Sequence, residues 1–304
     1  MPYVFVAKTT VTTSADIDAG SVAASFDADL FQSTEPLQPL SLTIYARFNM
    51  RQLMPIPLPL QPDSDGNVFW TSPWTSGDWA QFIREATAQA KMWNNKFWLV
   101  PPKHPLMFSD FDVPVSGSAG VVWRPNIRCD LDINFEAGDG AHRTVDVAHL
   151  DVTRLTGRRF RSHAMLYSSL DGIPVAFPFG RGPNLPTAQY VIAHEVGHAI
   201  GLDHAGVLMK TTLCLAEIYK AVFLGGGVNS GGNSLACYGW GQPLAVFGNI
   251  MGSGGGDFSV ENGRPWVWAI KALRTDMVGI RAFAENTQWQ VVMSDPGPGS
   301  RIRT

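Results

Sequence analysis

The chain has 304 residues and a formal net charge of −3, with 45% hydrophobic and 16% charged residues. That length allows a sizeable core in one large domain or two modest ones, and the low charge excludes a disordered, solvating chain. The slightly acidic balance leaves no electrostatic footprint for nucleic acid, and no apolar run approaches the ~20 residues a membrane span needs. The opening segment lacks a basic stretch followed by an apolar one, so a Sec-type signal peptide is not expected. The corresponding expectation is synthesis in the cytoplasm, with the chain staying there, being a mature fragment, or leaving by a route that needs no such signal. Thirty glycines and 21 prolines call for many turns.

Residues 1–40 are dense in Ser, Thr and Asp and end in the broken run 34-TEPLQPL-40, which reads as a loosely structured N-terminal extension. The β-branched and aromatic run 41-SLTIYARFNM-50 reads as a strand. Alternate prolines in 54-MPIPLPLQP-62 exclude a central strand or a helix, and 63-DSDGN-67 is a turn. From Thr75 to Trp98 the period changes. Trp79, Phe82, Ile83, Ala86, Ala90 and Trp93 fall on one helical face, with Thr75 or Ser76 as the cap.

Residues 119–140 read as strand, break, strand, and Leu131, Ile133 and Phe135 alternate with polar neighbours. In that strand Cys129 reads as a buried thiol. Residues 163–170 and 173–179 are two short extended pieces, and 188–200 is a helix. A further helix is expected at 212–223, followed by an irregular lobe around two glycine-rich stretches. Pro265 at a first helical position and the stripe Trp266, Ile270, Leu273 and Met277 give a terminal helix over 265–277, and the tail 294–304 reads as disordered. Cys214 and Cys237 flank the loop after the histidines; their placement permits one bridge without requiring it.

The chemistry concentrates in 194-HEVGHAIGLDH-204. His194 and His198 are four residues apart, so on a helix they point the same way and can share a cation. Glu195 projects about 100° round the helix, within reach of a water on that cation without being a ligand. Gly201 can take the left-handed conformation that ends a helix, and the turn would bring His204 back to the same ion. Three neutral nitrogens, an open position and an adjacent base describe catalytic rather than structural zinc.

This stretch resembles the zinc signature of the metzincin clan of metallopeptidases, HExxHxxGxxH. The clan also carries a methionine-containing turn that forms a hydrophobic base beneath the zinc, and 249-NIMG-252 fits it, with Met251 as the base. The resemblance implies an α+β fold: a twisted mixed sheet, an amphipathic helix and an active-site helix, then an irregular C-terminal lobe ending in a helix. It implies one metallopeptidase domain over 41–292, divided into an upper lobe 41–203 and a lower lobe 204–292, with 1–40 and the flexible tail 293–304 outside it. It implies a zinc-dependent endopeptidase with one catalytic zinc on His194, His198 and His204. Zinc-activated water would attack a peptide bond with Glu195 as general base. Residues 163–170 or 173–179 would be the edge strand that takes an extended peptide or protein substrate.

The chain departs from several clan members in having Gly252 and Ser253 after Met251 rather than a tyrosine; Tyr238 is the candidate for that donor. A second, structural metal is not expected: Asp130, Asp132, Glu136, Asp139, His142, His149 and His163 match no such site in spacing. Two other readings stand beside the peptidase. One is a catalytically silent zinc-binding interaction module. The other is a secreted bacterial effector acting on a cell-wall peptide cross-link, whose producer would need a dedicated inhibitor protein.

Overall fold

The computed structural model describes residues 3–17, 20–55, 69–101, 111–154, 160, 162, 165–176, 188–204, 249–251, 255–278 and 289–303. The fold is α+β: one curled mixed sheet of eight strands with few helices. β1 (Tyr3–Ile17), β2 (Gly20–Ser33) and β3 (Leu40–Gln52) follow one another antiparallel. β3 then pairs in parallel with β7 (Ile127–Asn134), β7 antiparallel with β4 (Phe97–Val100), and β4 antiparallel with β12 (Gln290–Val292). The far end of β3, from Phe48 to Gln52, pairs in parallel with β8 (Arg143–Ala148), and β8 with β9 (Leu166–Ser168). β3 therefore changes neighbours along its length. β2 follows it only between Asp27 and Gln32, and the rest of the hairpin diverges to reach the helices.

Residues 3–33 are thus not a loose extension. Many of the Ser, Thr and Asp that suggest a loop, among them Thr10, Thr12, Ser14 and Ser21, occupy the exposed face of two strands. In 23-AASFDADL-30, Ala24, Phe26, Ala28 and Leu30 are buried and alternate with Ser25, Asp27 and Asp29. Period-two burial holds these strands, and the β-branched threonines of β1 suit a pleated, half-exposed surface. The tail is also corrected. β13 (Gly299–Arg303) pairs with β6 (Val121–Pro125), which pairs with β5 (Val113–Pro114) in a second, three-stranded sheet. Ile302 is buried there, and Asn126 binds the Gly297 and Pro298 carbonyls. Backbone ladders and one buried apolar residue order a segment whose composition alone reads as disordered.

The other elements match expectation closely. α1 (Ser76–Ala90) is capped by Thr75, whose hydroxyl accepts from the Asp78 amide at 3.1 Å. Its stripe Phe82, Ala86 and Ala90 continues through a single turn to Trp93, all buried against the sheet. α2 (Val191–Ala199) and α3 (Arg264–Val278) follow. Trp266, Ile270 and Leu273 of α3 are buried; the Met277 side chain lies outside the described residues. One core cluster takes in Phe26 and Leu30 of the hairpin, the inner faces of β3 and β7, and apolar residues of all three helices. Among the described residues no helix is long and apolar enough to cross a membrane. The expected linker 56–62, the turn 63–67, the helix 212–223, Cys214, Cys237 and Tyr238 lie outside the described residues.

Candidate metal centre

α2 has no side-chain cap of its own at Tyr190, and α1 supplies one from a distance. Gln89 Oε1 accepts from the Ile192 amide at 3.1 Å, filling a donor that helix geometry leaves open. The same side chain donates to the Asp171 and Gly172 carbonyls, both at 2.7 Å. Trp93 Nε1 donates to the Ala193 carbonyl at 2.9 Å. The helix carrying the first two histidines is therefore fixed at its start by two buried side chains about a hundred residues away.

At its other end Gly201 has φ +92°, Gly201 N donates to the His198 carbonyl at 3.1 Å, and Leu202 N donates to the Gly197 carbonyl at 2.9 Å. This pair of bonds is the Schellman closure of a helix, and it requires the left-handed residue that glycine adopts without strain. A Cβ at position 201 would also overlap Thr13 of β1 and lie 2.9 Å from Trp268 Cζ3 of α3. The turn that sends the chain back is thus packed between the N-terminal hairpin and the last helix.

The result is a triangle of imidazole nitrogens. His194 Nε2 lies 3.1 Å from His198 Nε2 and 3.2 Å from His204 Nε2, and the last two are 3.0 Å apart. A four-coordinate ion with nitrogens at about 2.0–2.1 Å needs neighbours separated by roughly 3.3 Å, so the set fits one cation. Partners on the far side of two rings set the tautomer. His194 Nδ1 donates to the Ile250 carbonyl at 2.6 Å, and His198 Nδ1 donates to the Leu202 carbonyl at 2.7 Å. Each of these rings therefore turns a bare Nε2 lone pair to the common centre. Burial, and then the neighbouring His194 and His204, hold His198 well below the usual histidine range, so it is neutral. The three Nε2 atoms converge at distances that a cation between them would satisfy. Among the described residues these three histidines form the group of side chains that could hold a metal ion.

Glu195, which follows His194 on α2, is buried. Desolvation, with the Asp171 carboxylate adding to it and Arg143 opposing it, pushes its carboxyl up to about 8. Asp171 is itself buried, held by Ser162 and by the Ser168 amide at 2.6 Å.

Met251 lies against the ligand helix. It is fully buried, and a Cβ at Gly197 would overlap its sulfur and come within 2.9 Å of its Cε and 3.1 Å of Trp93 Cζ2. The glycine between the first two histidines is there because the thioether fills its place. The turn holding Met251 is closed by the Asn249 side chain and by the Ile250 amide on the Asp257 carbonyl at 2.7 Å. Structure thus brings His194, His198 and His204 together, with Gly201 closing the helix behind them and Met251 packed against Gly197 of the same helix.

No family model, curated protein or solved structure matches this chain.

Gln89 and Asp171 carry no local signal and emerge only from contacts across the fold, and Trp93, legible as a core residue, gains its bond to α2 only there. Among the residues weighed for a second metal, Asp130, His142 and His149 have other partners. Asp130 takes Arg128 at 3.0 Å, His142 meets the Arg47 amide at 3.2 Å, and His149 stacks on Trp74 at 4.5 Å and bonds Ser72 at 3.0 Å. His163 lies outside the described residues.

Proposed function

We propose that the protein is a zinc-dependent endopeptidase of the metzincin kind. The observation that carries this reading is the convergence of His194, His198 and His204, with the buried Glu195 following the first of them in sequence. Imidazoles suit a borderline divalent ion, and a three-histidine set leaves one position for water or substrate. The order of elements supports the clan reading too: long helix, mixed sheet, ligand helix, methionine turn against that helix, terminal helix.

His194, His198 and His204 would hold the ion, through the nitrogens described above. Bound zinc supplies Lewis acidity and brings the pKa of its water toward 7. Glu195 is the group placed to take a proton from the attacking water and deliver it to the departing amine. Its burial makes it basic enough for the first task and acidic enough for the second, once a nearby cation offsets part of the desolvation. Asp171, Gln89 and the start of α2 form one hydrogen-bonded block, so the base is held on a rigid support. β9 pairs only with β8 among the described residues, and its outer edge would receive an extended peptide by strand addition.

The test is metal analysis with peptide-library cleavage on wild type and Glu195→Gln. Wild type should carry one zinc per chain and cleave. The variant should keep the zinc and lose about 10²–10⁴-fold in turnover. Near-normal cleavage by the variant, or a wild type without metal, refutes the proposal. Zinc without cleavage of any peptide favours the interaction module or a cell-wall cross-link as substrate.

A further inference from the structure

We infer that Asn249 and Asn262 are paired positioning residues for the first metal ligand, acting on His194 through the Ile250 carbonyl. The inference rests on the reading of His194 as a ligand. His194 Nδ1 bonds Ile250 O at 2.6 Å, so the direction of that carbonyl sets the orientation of the ring. Metal-binding histidines depend on such partners, whose loss costs about 10–100-fold in metal affinity. The carbonyl belongs to a turn of three described residues whose shape is set from both sides. Asn249 Oδ1 accepts from the Met251 amide at 2.8 Å, and Asn249 Nδ2 donates to Asn262 Oδ1 at 3.1 Å. Asn262 Oδ1 also accepts from the Ser259 amide at 2.8 Å and the Ser259 hydroxyl at 3.3 Å, in the short helical turn that leads into α3. Both side chains are buried, Asn249 at 4% and Asn262 at 3% exposure.

The two asparagines have different requirements. Backbone donors fix which end of each amide is oxygen: Met251 N at position 249 and Ser259 N at position 262. Asn249 must accept and donate at once. Asn262 acts through its oxygen alone in these contacts. Aspartate at 262 can therefore receive all three donors. Aspartate at 249 keeps the bond from Met251 but sets a carboxylate oxygen against Asn262 Oδ1, acceptor against acceptor. Leucine at 262 has a similar shape and leaves the Asn249 amide, the Ser259 amide and the Ser259 hydroxyl without this acceptor in a buried place. Neither asparagine touches the ion or substrate. Their effect passes through the turn, so it should be read in metal affinity rather than in general stability.

The experiment uses the full chain as wild type, Asn262→Leu, Asn262→Asp and Asn249→Asp. Zinc dissociation constants come from chelator competition, and thermal unfolding of the metal-free forms is recorded alongside. Asn262→Leu and Asn249→Asp should weaken zinc by about tenfold or more, and Asn262→Asp by less than about threefold. Equal weakening by the two aspartate variants overturns the inference, as does wild-type affinity in Asn262→Leu. The comparison of the aspartate variants stands even if the leucine variant does not fold. A wild type that takes up no zinc overturns the metal reading, and this inference with it. Tight wild-type zinc with no difference among the variants overturns this inference alone.

Discussion

Gly197→Ala isolates the contact between the methionine turn and the ligand helix. At an exposed helical position this change would stabilise by up to about 1 kcal/mol, because glycine is the weaker helix former. Position 197 is buried, and the added Cβ would overlap the Met251 sulfur and lie 2.9 Å from its Cε and 3.1 Å from Trp93 Cζ2. Trp93 cannot yield, since it is fully buried and its Nε1 bonds the Ala193 carbonyl at 2.9 Å. Met251 is flexible in itself, but it is fully enclosed on a turn that also bonds His194. Overpacking of this kind costs about 1–3 kcal/mol, so after the propensity gain the net loss should be up to about 2 kcal/mol. That corresponds to a fall of up to roughly 8 °C in Tm. Zinc affinity should fall with it, because the methionine can move only by moving the Ile250 carbonyl. Urea unfolding of the metal-free protein gives the magnitude, and the same change made in a Met251→Ala background gives the cause. With the sulfur gone, the alanine should be neutral or stabilising, a coupling of about 1–3 kcal/mol between the sites. An equal effect of the alanine in both backgrounds, or stabilisation by Gly197→Ala alone, refutes the reasoning.

Gly201→Ala should destabilise by about 2–4 kcal/mol, the sum of a left-handed non-glycine residue and overlap with Thr13 and Trp268. A loss below about 0.5 kcal/mol in urea unfolding would contradict the role given to that turn. Removing the metal with a chelator should lower Tm. Zinc restored at a hundred times its dissociation constant should return about 2.7 kcal/mol, measured by thermal unfolding across a zinc titration. The metal-free Glu195→Gln variant, which lacks the opposing titration of a carboxyl pushed up to about 8, should lose stability on acidification. His198 is held below its ordinary 6.5, so the unfolded chain takes up a proton that the fold refuses. Its contribution is complete above pH 6.5 and is lost as pH falls from there towards the depressed folded value; a flat unfolding free energy between pH 7 and 5 would count against it. Cys129 is fully buried, and burial raises its thiol well above the usual range. Alkylation mapped by mass spectrometry should therefore reach Cys129 only in denaturant, and labelling of the native protein would contradict its place on β7.

The convergence of the three histidines was legible because its geometry is local. A spacing of four on a helix, and a glycine three residues after the second histidine, need no knowledge of the rest of the chain. The helices around Phe82 and Trp266 were legible for the same reason: apolar period is a property of neighbours in sequence. The hairpin was misread because threonine, serine and aspartate serve both loops and the outer faces of strands. Only the alternation of Ala24, Phe26, Ala28 and Leu30 could have separated the two. The tail strand carried less signal still, since Ile302 is the single buried residue of β13.

By itself the sequence determined which side chains face one another across one turn of helix, where that helix must end, and hence that His194, His198 and His204 belong to one centre. Tertiary structure alone decided what supports them. Gln89 at the first turn of α2, Thr13 and Trp268 against Gly201, and Asn262 behind the turn of Met251 come from segments far apart in the chain. The physical reason is range. Helical periodicity and glycine dihedrals act over a few residues, whereas a buried amide finds its partner only after the sheet has curled and brought the hairpin and the last helix to the same place.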